Sequence, residues 1–273
     1  MHFGILGPIQ AVEQGREFVP SAPKLRQILT LLLASPNRGV SVAEFQEEVW
    51  DTAPPRSGTA AVHTHITQLR KALTAPPGFP DSPSHRLVTC QRGYRLRVGS
   101  DELDTQLFNR RVSAGRQAIA EGQVRTGAAL LGSALSLWRG STMADVTPGP
   151  LLESVLWRQE EQRLKVLEER IDADLRLGRH HELVAETSAL VHRYPTRENF
   201  TAQLMISLSR SWRRADALAA FHRLRGSLSA EHHRSPSRRI HRLYESILSA
   251  NLRDQDIVDE PFRLSLDLAG ARM

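Results

Sequence analysis

Cysteine, lysine and aromatic side chains are all scarce in this 273-residue chain. Cys90 is the only cysteine, so no disulfide can form within the chain and a disulfide-stapled secreted scaffold is excluded. Aromatic residues make up 5% of the chain against 40% hydrophobic residues in all. Its interior must therefore be built mainly from Leu, Ala, Val and Ile, a composition that favours packed helices over a β-sandwich. No stretch approaches the run of about 18 apolar residues that a membrane span needs. The opening Met1-His-Phe-Gly-Ile-Leu-Gly-Pro8 lacks the basic segment and apolar run of an export signal, and a cytosolic location is expected. Enzyme signatures are missing too: there is no Gly-x-x-x-x-Gly-Lys-Ser/Thr loop to cradle nucleotide phosphates, no Gly-x-Ser-x-Gly elbow and no His-Glu-x-x-His. The pairs His180-His181, His232-His233 and His63-x-His65 diverge on a helix rather than converge on one ion. Neither catalysis nor a metal or other cofactor is expected.

Positive charge is plentiful and nearly all of it is arginine, with 36 Lys plus Arg against 30 Asp plus Glu and a formal net charge of +6. The first hundred residues hold 11 basic and 7 acidic side chains, the remainder 25 and 23. The positive field is thus denser at the N-terminus. Guanidinium groups match phosphate oxygens bidentately, although a genome rich in arginine codons would give the same bias.

The texture of the chain changes near residue 100. Before it, Phe3–Val19 alternates loosely between apolar and polar and is broken by glycine and proline, which predicts short strands with turns. Leu25, Ile28, Leu29, Leu32 and Leu33 have helical spacing. Ser41 with Glu44 three residues on forms the capping-box pattern that opens a second helix running to about Asp51. After the Thr52–Gly58 loop, Val62, Ile66, Leu69 and Leu73 recur along a third helix, which Pro76-Pro-Gly-Phe-Pro80 and Pro83 end. The run Arg86–Val98 alternates around Gln91-Arg-Gly93 as a β-hairpin. Beyond it come long amphipathic helices with breaks near Gly122, Gly140, Pro148, Gly178, Pro195, Trp212 and Pro236. Gly178-Arg-His-His-Glu-Leu183 overlays Trp212-Arg-Arg-Ala-Asp-Ala217 at an offset of 34, the period of tetratricopeptide-like helix pairs. The fold class expected is mainly α with small β: a winged helix-turn-helix at 1–100, a tetratricopeptide-like all-α helical-repeat domain at 101–250, and a tail at 251–273 of unassigned structure.

Three helices followed by an arginine-bearing hairpin make a physically sensible DNA reader, the third helix in the major groove and the hairpin beside it. With the apolar stripe facing inward, His63, Thr64, Thr67 and Gln68 are the candidates for base contact. Gln68 leads because an amide pairs bidentately with adenine, and the Thr64 methyl can meet a thymine methyl. Lys24, Arg56, Ser57, Arg70 and Lys71 are the candidate phosphate anchors. Arg92 and Arg95, followed by Arg97, are placed for the minor groove, where negative potential favours guanidinium. Gly93 is expected to permit the hairpin turn. Tyr94 has two readings, a DNA backbone contact or a ring packed on the core, with packing favoured. Cys90 reads as a small buried residue rather than a redox switch.

Pro23-Lys-Leu-Arg26, Val49-Trp50, Val62-His-Thr-His-Ile-Thr-Gln-Leu-Arg-Lys-Ala-Leu73 and Gly93-Tyr-Arg-Leu96 together resemble the OmpR-type winged helix of bacterial regulators. Phe108, Ala134-Leu-Ser-Leu-Trp-Arg-Gly140, Leu177-Gly-Arg179, Glu182-Leu-Val184, Arg197-Glu198, Leu204-Met205 and Ala215-Asp-Ala-Leu218 resemble the bacterial transcriptional activator domain. That pairing, over about residues 1–250, is similar to the Streptomyces antibiotic regulatory proteins. The resemblance implies a sequence-specific activator of a secondary-metabolite gene cluster. It would bind promoter direct repeats of double-stranded DNA near the −35 element as a side-by-side homodimer in the bacterial nucleoid, and recruit RNA polymerase holoenzyme through its sigma and alpha subunits. Two departures stand out. Trp212-Arg213 replaces the Gly-Arg pair usual in the family, and Glu231-His-His-Arg-Ser replaces its Glu-Leu-Gly segment.

With neither a nucleotide-binding loop nor a receiver domain ahead of the DNA-binding unit, activity is expected to follow expression level, a ligand or a partner. A helical-repeat adaptor whose N-terminal unit is only structural is the competing reading, and it implies no salt-dependent DNA affinity. A repressor also stays open, because DNA-contacting residues do not encode the sign of regulation.

Overall fold

The computed structural model describes residues 1–73 and 86–249. The proline-rich stretch expected to end the third helix, and the tail expected from residue 251, lie outside the described residues. The chain forms two compact units: Met1–Ser113 with Ser133–Lys165, and Ala114–Gly132 with Val166 onward.

The first unit opens with an antiparallel sheet of β1 (His2–Gly4), β2 (Gln10–Glu13) and β3 (Arg16–Glu17). Gln14 and Gly15, both at positive φ, make the two-residue turn whose twist suits a hairpin. The first helix, α1 (Pro23–Ala34), starts on a proline whose fixed φ is already helical, and buries Leu25, Ile28, Leu29, Leu32 and Leu33 as their spacing predicts. Next comes β4 (Val40–Ser41), which the sequence reading does not contain because two residues carry no periodicity. Ser41 also caps α2 (Val42–Trp50): its hydroxyl accepts from the Glu44 N–H at 3.2 Å, and its own N–H donates to the Glu44 carboxylate at 2.7 Å. The third helix, α3 (Gly58–Ala72), turns Val62, Ile66 and Leu69 inward, with Leu73 buried just beyond it. A hairpin of β5 (Leu87–Cys90) and β6 (Gly93–Leu96) follows, and β4 pairs with its far edge to give the order β4-β6-β5.

That third strand changes the role of Gly93. It lies in β6 opposite Ser41 rather than at a positive-φ turn, and a methyl group there would collide with the Val40 carbonyl and the Ser41 backbone. Close approach of two strands, not the turn, requires glycine. Tyr94 packs against the core beside Phe45, the ring centroids 6.2 Å apart. Cys90 is half-buried rather than buried, because β5 is an edge strand with one face in solvent.

The core of this unit does not end where the sequence texture changes. Leu103, Met143 and Leu152 pack in one cluster with Phe3, Leu32, Phe45 and Ile66. Three carboxylates hold the same junction. The carboxylate of Asp104 accepts the N–H groups of Ile5 and Leu6 at 3.0 and 2.9 Å and pairs with Arg139, whose guanidinium also donates to the Pro8 carbonyl. That of Asp145 accepts from Ile9 at 2.7 Å and pairs with Arg26 at 3.0 Å. Glu48, only 2% exposed on α2, accepts from the N–H groups of Gly149, Leu151 and Leu152 at 2.6, 3.1 and 3.0 Å, at the start of the long helix α6 (Pro150–Arg176). Pro150 has no N–H, so these three donors are those the first turn offers. A carboxylate at a helix start meets both unsatisfied donors and the positive end of the helix dipole. Gln27 donates to the same carboxylate at 2.9 Å.

The second unit is a stack of helices. Its helices are the later part of α4 (Asp104–Ala120), most of α5 (Val124–Leu135) and the later part of α6, then α7 (His180–Arg193), α8 (Glu198–Arg210), α9 (Arg214–His232) and α10 (Arg238–Ser249). Residues Phe200–Leu208 of α8 are buried without a break, which makes α8 the central helix between α7 and α9. Gly122, Gly178 and Trp212 end α4, α6 and α8 with one geometry. Each has φ between +62° and +81° and donates to the carbonyl three residues back, while the next N–H donates to the carbonyl five back. The 34-residue offset read from the sequence thus superposes two turns of the same kind. At Trp212, and at His233 with φ +50°, a side chain occupies the left-handed conformation for which glycine is the easy residue, at a cost of about 1 kcal/mol.

Replacing Glu48 with alanine removes the acceptor from three main-chain N–H groups in a dry environment. We expect Glu48→Ala to lower stability by about 2–4 kcal/mol and Glu48→Gln by less, measured as urea unfolding midpoints. A change below about 0.5 kcal/mol for Glu48→Ala, the size of an ordinary surface substitution, would show that the cap is dispensable.

Candidate DNA-binding surface

One face of α3 is fixed by its buried stripe, and the opposite face is left to solvent. His63, Thr64, Thr67, Gln68 and Lys71 are all exposed on that face. The hydroxyls of Thr64 and Thr67 donate to the carbonyls of Ala60 and His63 at 2.9 and 3.0 Å. These bonds commit the hydroxyl protons to the helix and leave the oxygens as acceptors and the methyls for apolar contact. His63 meets Tyr94 edge-on at 6.2 Å, whereas His65 turns to the other side of the helix and stacks on Trp50 at 6.3 Å. The two histidines diverge.

The start of α3 carries no acidic residue in its first turn, and Ser57 at the N-cap makes no side-chain cap bond. Ser57 and Arg56 before it are exposed. An exposed hydroxyl and a guanidinium beside the positive end of a helix suit an anion. Lys24, exposed at the start of α1, holds its ammonium 5.0 Å from the centre of the Trp50 ring. The aromatic ring therefore holds this cation in place.

Arg70 is the residue whose part the sequence did not disclose. Expected among the phosphate contacts, it turns its guanidinium to the hairpin: Nε donates to the Leu87 carbonyl at 3.1 Å and Nη2 to the Thr89 hydroxyl at 2.9 Å. It also lies over the Tyr94 ring at 5.6 Å. The arginine fastens the hairpin to α3. The signal was its position: along α3, Arg70 falls between the buried stripe and the exposed face, where a long side chain reaches a neighbouring element. On the hairpin, Arg92 in the turn and Arg97 after β6 are exposed, and Arg95 within β6 is half-buried. Site residues from α1, α3 and the hairpin thus belong to one packed unit.

An exposed polar face on the third helix of a tri-helical core, flanked by a fastened arginine-bearing wing, defines a winged-helix DNA-binding transcriptional regulator. Residues 15–96 match the family model described as transcriptional regulatory protein, C terminal, and residues 103–248 match the bacterial transcriptional activator domain. The chain is 39% identical over 253 residues to the regulatory protein DnrI of Streptomyces peucetius, covering 92% of this chain and 93% of that one. It is 35% identical to the regulatory protein AfsR of Streptomyces coelicolor over 92% of this chain but only 24% of the larger AfsR. Among solved structures it is similar to Mycobacterium tuberculosis EmbR in complex with a low affinity phosphopeptide. That likeness has a TM-score of 0.84 and 30% identity, over 90% of this chain and 64% of that one. The chain belongs to the Streptomyces antibiotic regulatory protein family of transcriptional regulators.

Removing the Arg70 guanidinium frees the wing. In Arg70→Ala the amides of Leu87–Leu96 should exchange with solvent faster by about tenfold, and Arg70→Lys should not restore them, because an ammonium cannot span both acceptors. Unchanged exchange in Arg70→Ala would mean that strand pairing alone holds the hairpin.

Proposed function

We propose that this protein activates a secondary-metabolite gene cluster by binding direct repeats near a promoter −35 element as a side-by-side pair and recruiting RNA polymerase holoenzyme through its sigma and alpha subunits. The observation that carries the reading is the exposed row His63, Thr64, Thr67 and Gln68 on a helix whose other face is buried. In this reading Gln68 and Thr64 read bases in the major groove, and His63 and Thr67 bond to bases or nearby phosphates. Lys24, Arg56, Ser57 and Lys71 bind phosphates, while Arg92 and Arg95 follow the minor groove. Arg70 serves by holding the wing in register. Membership of an activator family and its similarity to DnrI and AfsR support the positive sign of regulation. No described helix is long and apolar enough to cross a membrane, in keeping with action in the cytoplasm at the nucleoid.

The test is transcription in vitro from a promoter carrying direct repeats, with DNA affinity measured in parallel. The full chain should raise transcript yield. Gln68→Ala and Thr64→Ala should each weaken operator binding by about 1–3 kcal/mol at single base positions, whereas Arg56→Ala should weaken all sequences alike and flatten the salt dependence. Full DNA binding with falling transcript yield would assign a repressor. Salt-independent affinity would favour the adaptor reading.

A further inference from the structure

His222, Arg225, Ser229 and His233 recur along α9 and its C-cap at steps of three and four, so they share one face. With Arg234 and Ser235 they line an open cavity of about 570 Å³ in the second unit. The left-handed turn at His233 folds the chain back so that the Arg234 N–H donates to the Leu228 carbonyl at 3.2 Å, which brings Arg234 and Ser235 to this cavity. From α10, Tyr244 steadies His222, its hydroxyl 3.5 Å from Nε2 and the two rings edge to face at 5.5 Å. Among the described residues no carboxylate lines the cavity, and neither Arg225 nor Arg234 has an ion-pair partner. Arg225 serves neither usual purpose of a helical cation. It lies about two turns before the end of α9, beyond the last turn in which the helix dipole is felt. Its neighbours at three and four residues are His222, Leu228, Phe221 and Ser229, none of them acidic. The floor of the cavity is Gly226, in the middle of α9, where glycine weakens a helix. A methyl group there would meet nothing within 4 Å among the described residues, so packing within the chain does not require the glycine. Its missing side chain leaves the cavity open between the two arginines.

We propose that this cavity binds a small phosphate-bearing solute, a diphosphate or a phosphomonoester, with Arg225 and Arg234 on its oxygens and the Ser229 and Ser235 hydroxyls donating beside them. Guanidinium forks match phosphate oxygens in pairs, and such charge-assisted bonds are the strong ones. The volume falls in the range of small-molecule sites, whereas cationic and hydroxyl walls without a large apolar side chain do not suit an apolar ligand. The site is independent of the phosphate anchors of the first unit and of the regulatory reading above.

The probe is pyrophosphate, titrated calorimetrically into the full-length chain at fixed physiological ionic strength, with binding of non-operator duplex DNA and thermal unfolding measured on the same proteins. Wild type should bind one pyrophosphate per chain saturably. Arg225→Gln and Arg234→Gln should each bind it about tenfold more weakly, the loss of one charge-assisted contact. Gly226→Leu should fill the cavity while keeping every charge, and so weaken pyrophosphate binding by at least about tenfold. It should unfold no lower than wild type, because leucine favours the helix, and should bind duplex within about twofold of wild type. Wild type that binds no pyrophosphate overturns the proposal. Pyrophosphate binding by Gly226→Leu equal to wild type also overturns it, by showing that the anion meets only the charged surface, as does binding unchanged in both arginine variants. A loss of about tenfold in duplex affinity for Gly226→Leu overturns it in favour of a DNA backbone in the cavity.

Discussion

Burying a carboxylate costs several kcal/mol unless its oxygens find donors, and Glu48 finds them in the first turn of α6, a hundred residues away in sequence. The arrangement works in both directions. A buried charge needs the helix start, and the helix start, beginning Gly149-Pro150-Leu-Leu with no capping side chain of its own, needs the charge. Such an interaction depends on geometry in a way that apolar burial does not, so it fixes how α6 meets α2. Asp104 and Asp145 act alike on the main chain of Ile5, Leu6 and Ile9. Each carboxylate satisfies backbone donors left open where irregular chain passes over the core.

The proposed reading surface inherits this rigidity. The inward stripe of α3 rests on a core that includes Met143 and Leu152, so the segment beyond residue 100 contributes to the platform behind this helix. The wing is tied in separately, by its ladder with β4 and by Arg70. The base readout proposed for α3 needs side chains placed to within a fraction of an ångström, and this helix is braced from behind and from the side.

Periodicity and caps made much of this legible. The leucine stripe of α1, the capping box at Ser41 and the Val62–Leu73 stripe each report a local requirement, and each fixed an element and its buried face. The exposed face of α3 followed by subtraction. What escaped was non-local. A two-residue strand has no pattern, Gly93 looked like a turn residue because its strand partner was unseen, and Arg70 looked like every other basic side chain on a DNA reader. Glu48 carried one hint, a charge at a position on α2 otherwise facing the core, and α6 carried the complementary one, a proline-led helix without a cap. Neither hint names the other, because pairing them needs the fold.

The shared core of the first unit also bears on how such regulators diversify. The two family models meet between residues 96 and 103, which marks that point as a natural seam for exchanging one reader for another between relatives. A crossover there would separate Glu48 from Gly149, Asp104 from Ile5 and Leu6, and Met143 from the core it fills. On the proposed reading, new target preferences are more readily reached by point changes on the outer face of α3, which leave every one of these ties intact, than by recombination at the seam. A chimera assembled in the laboratory should carry residues 133–165 with the reader they support.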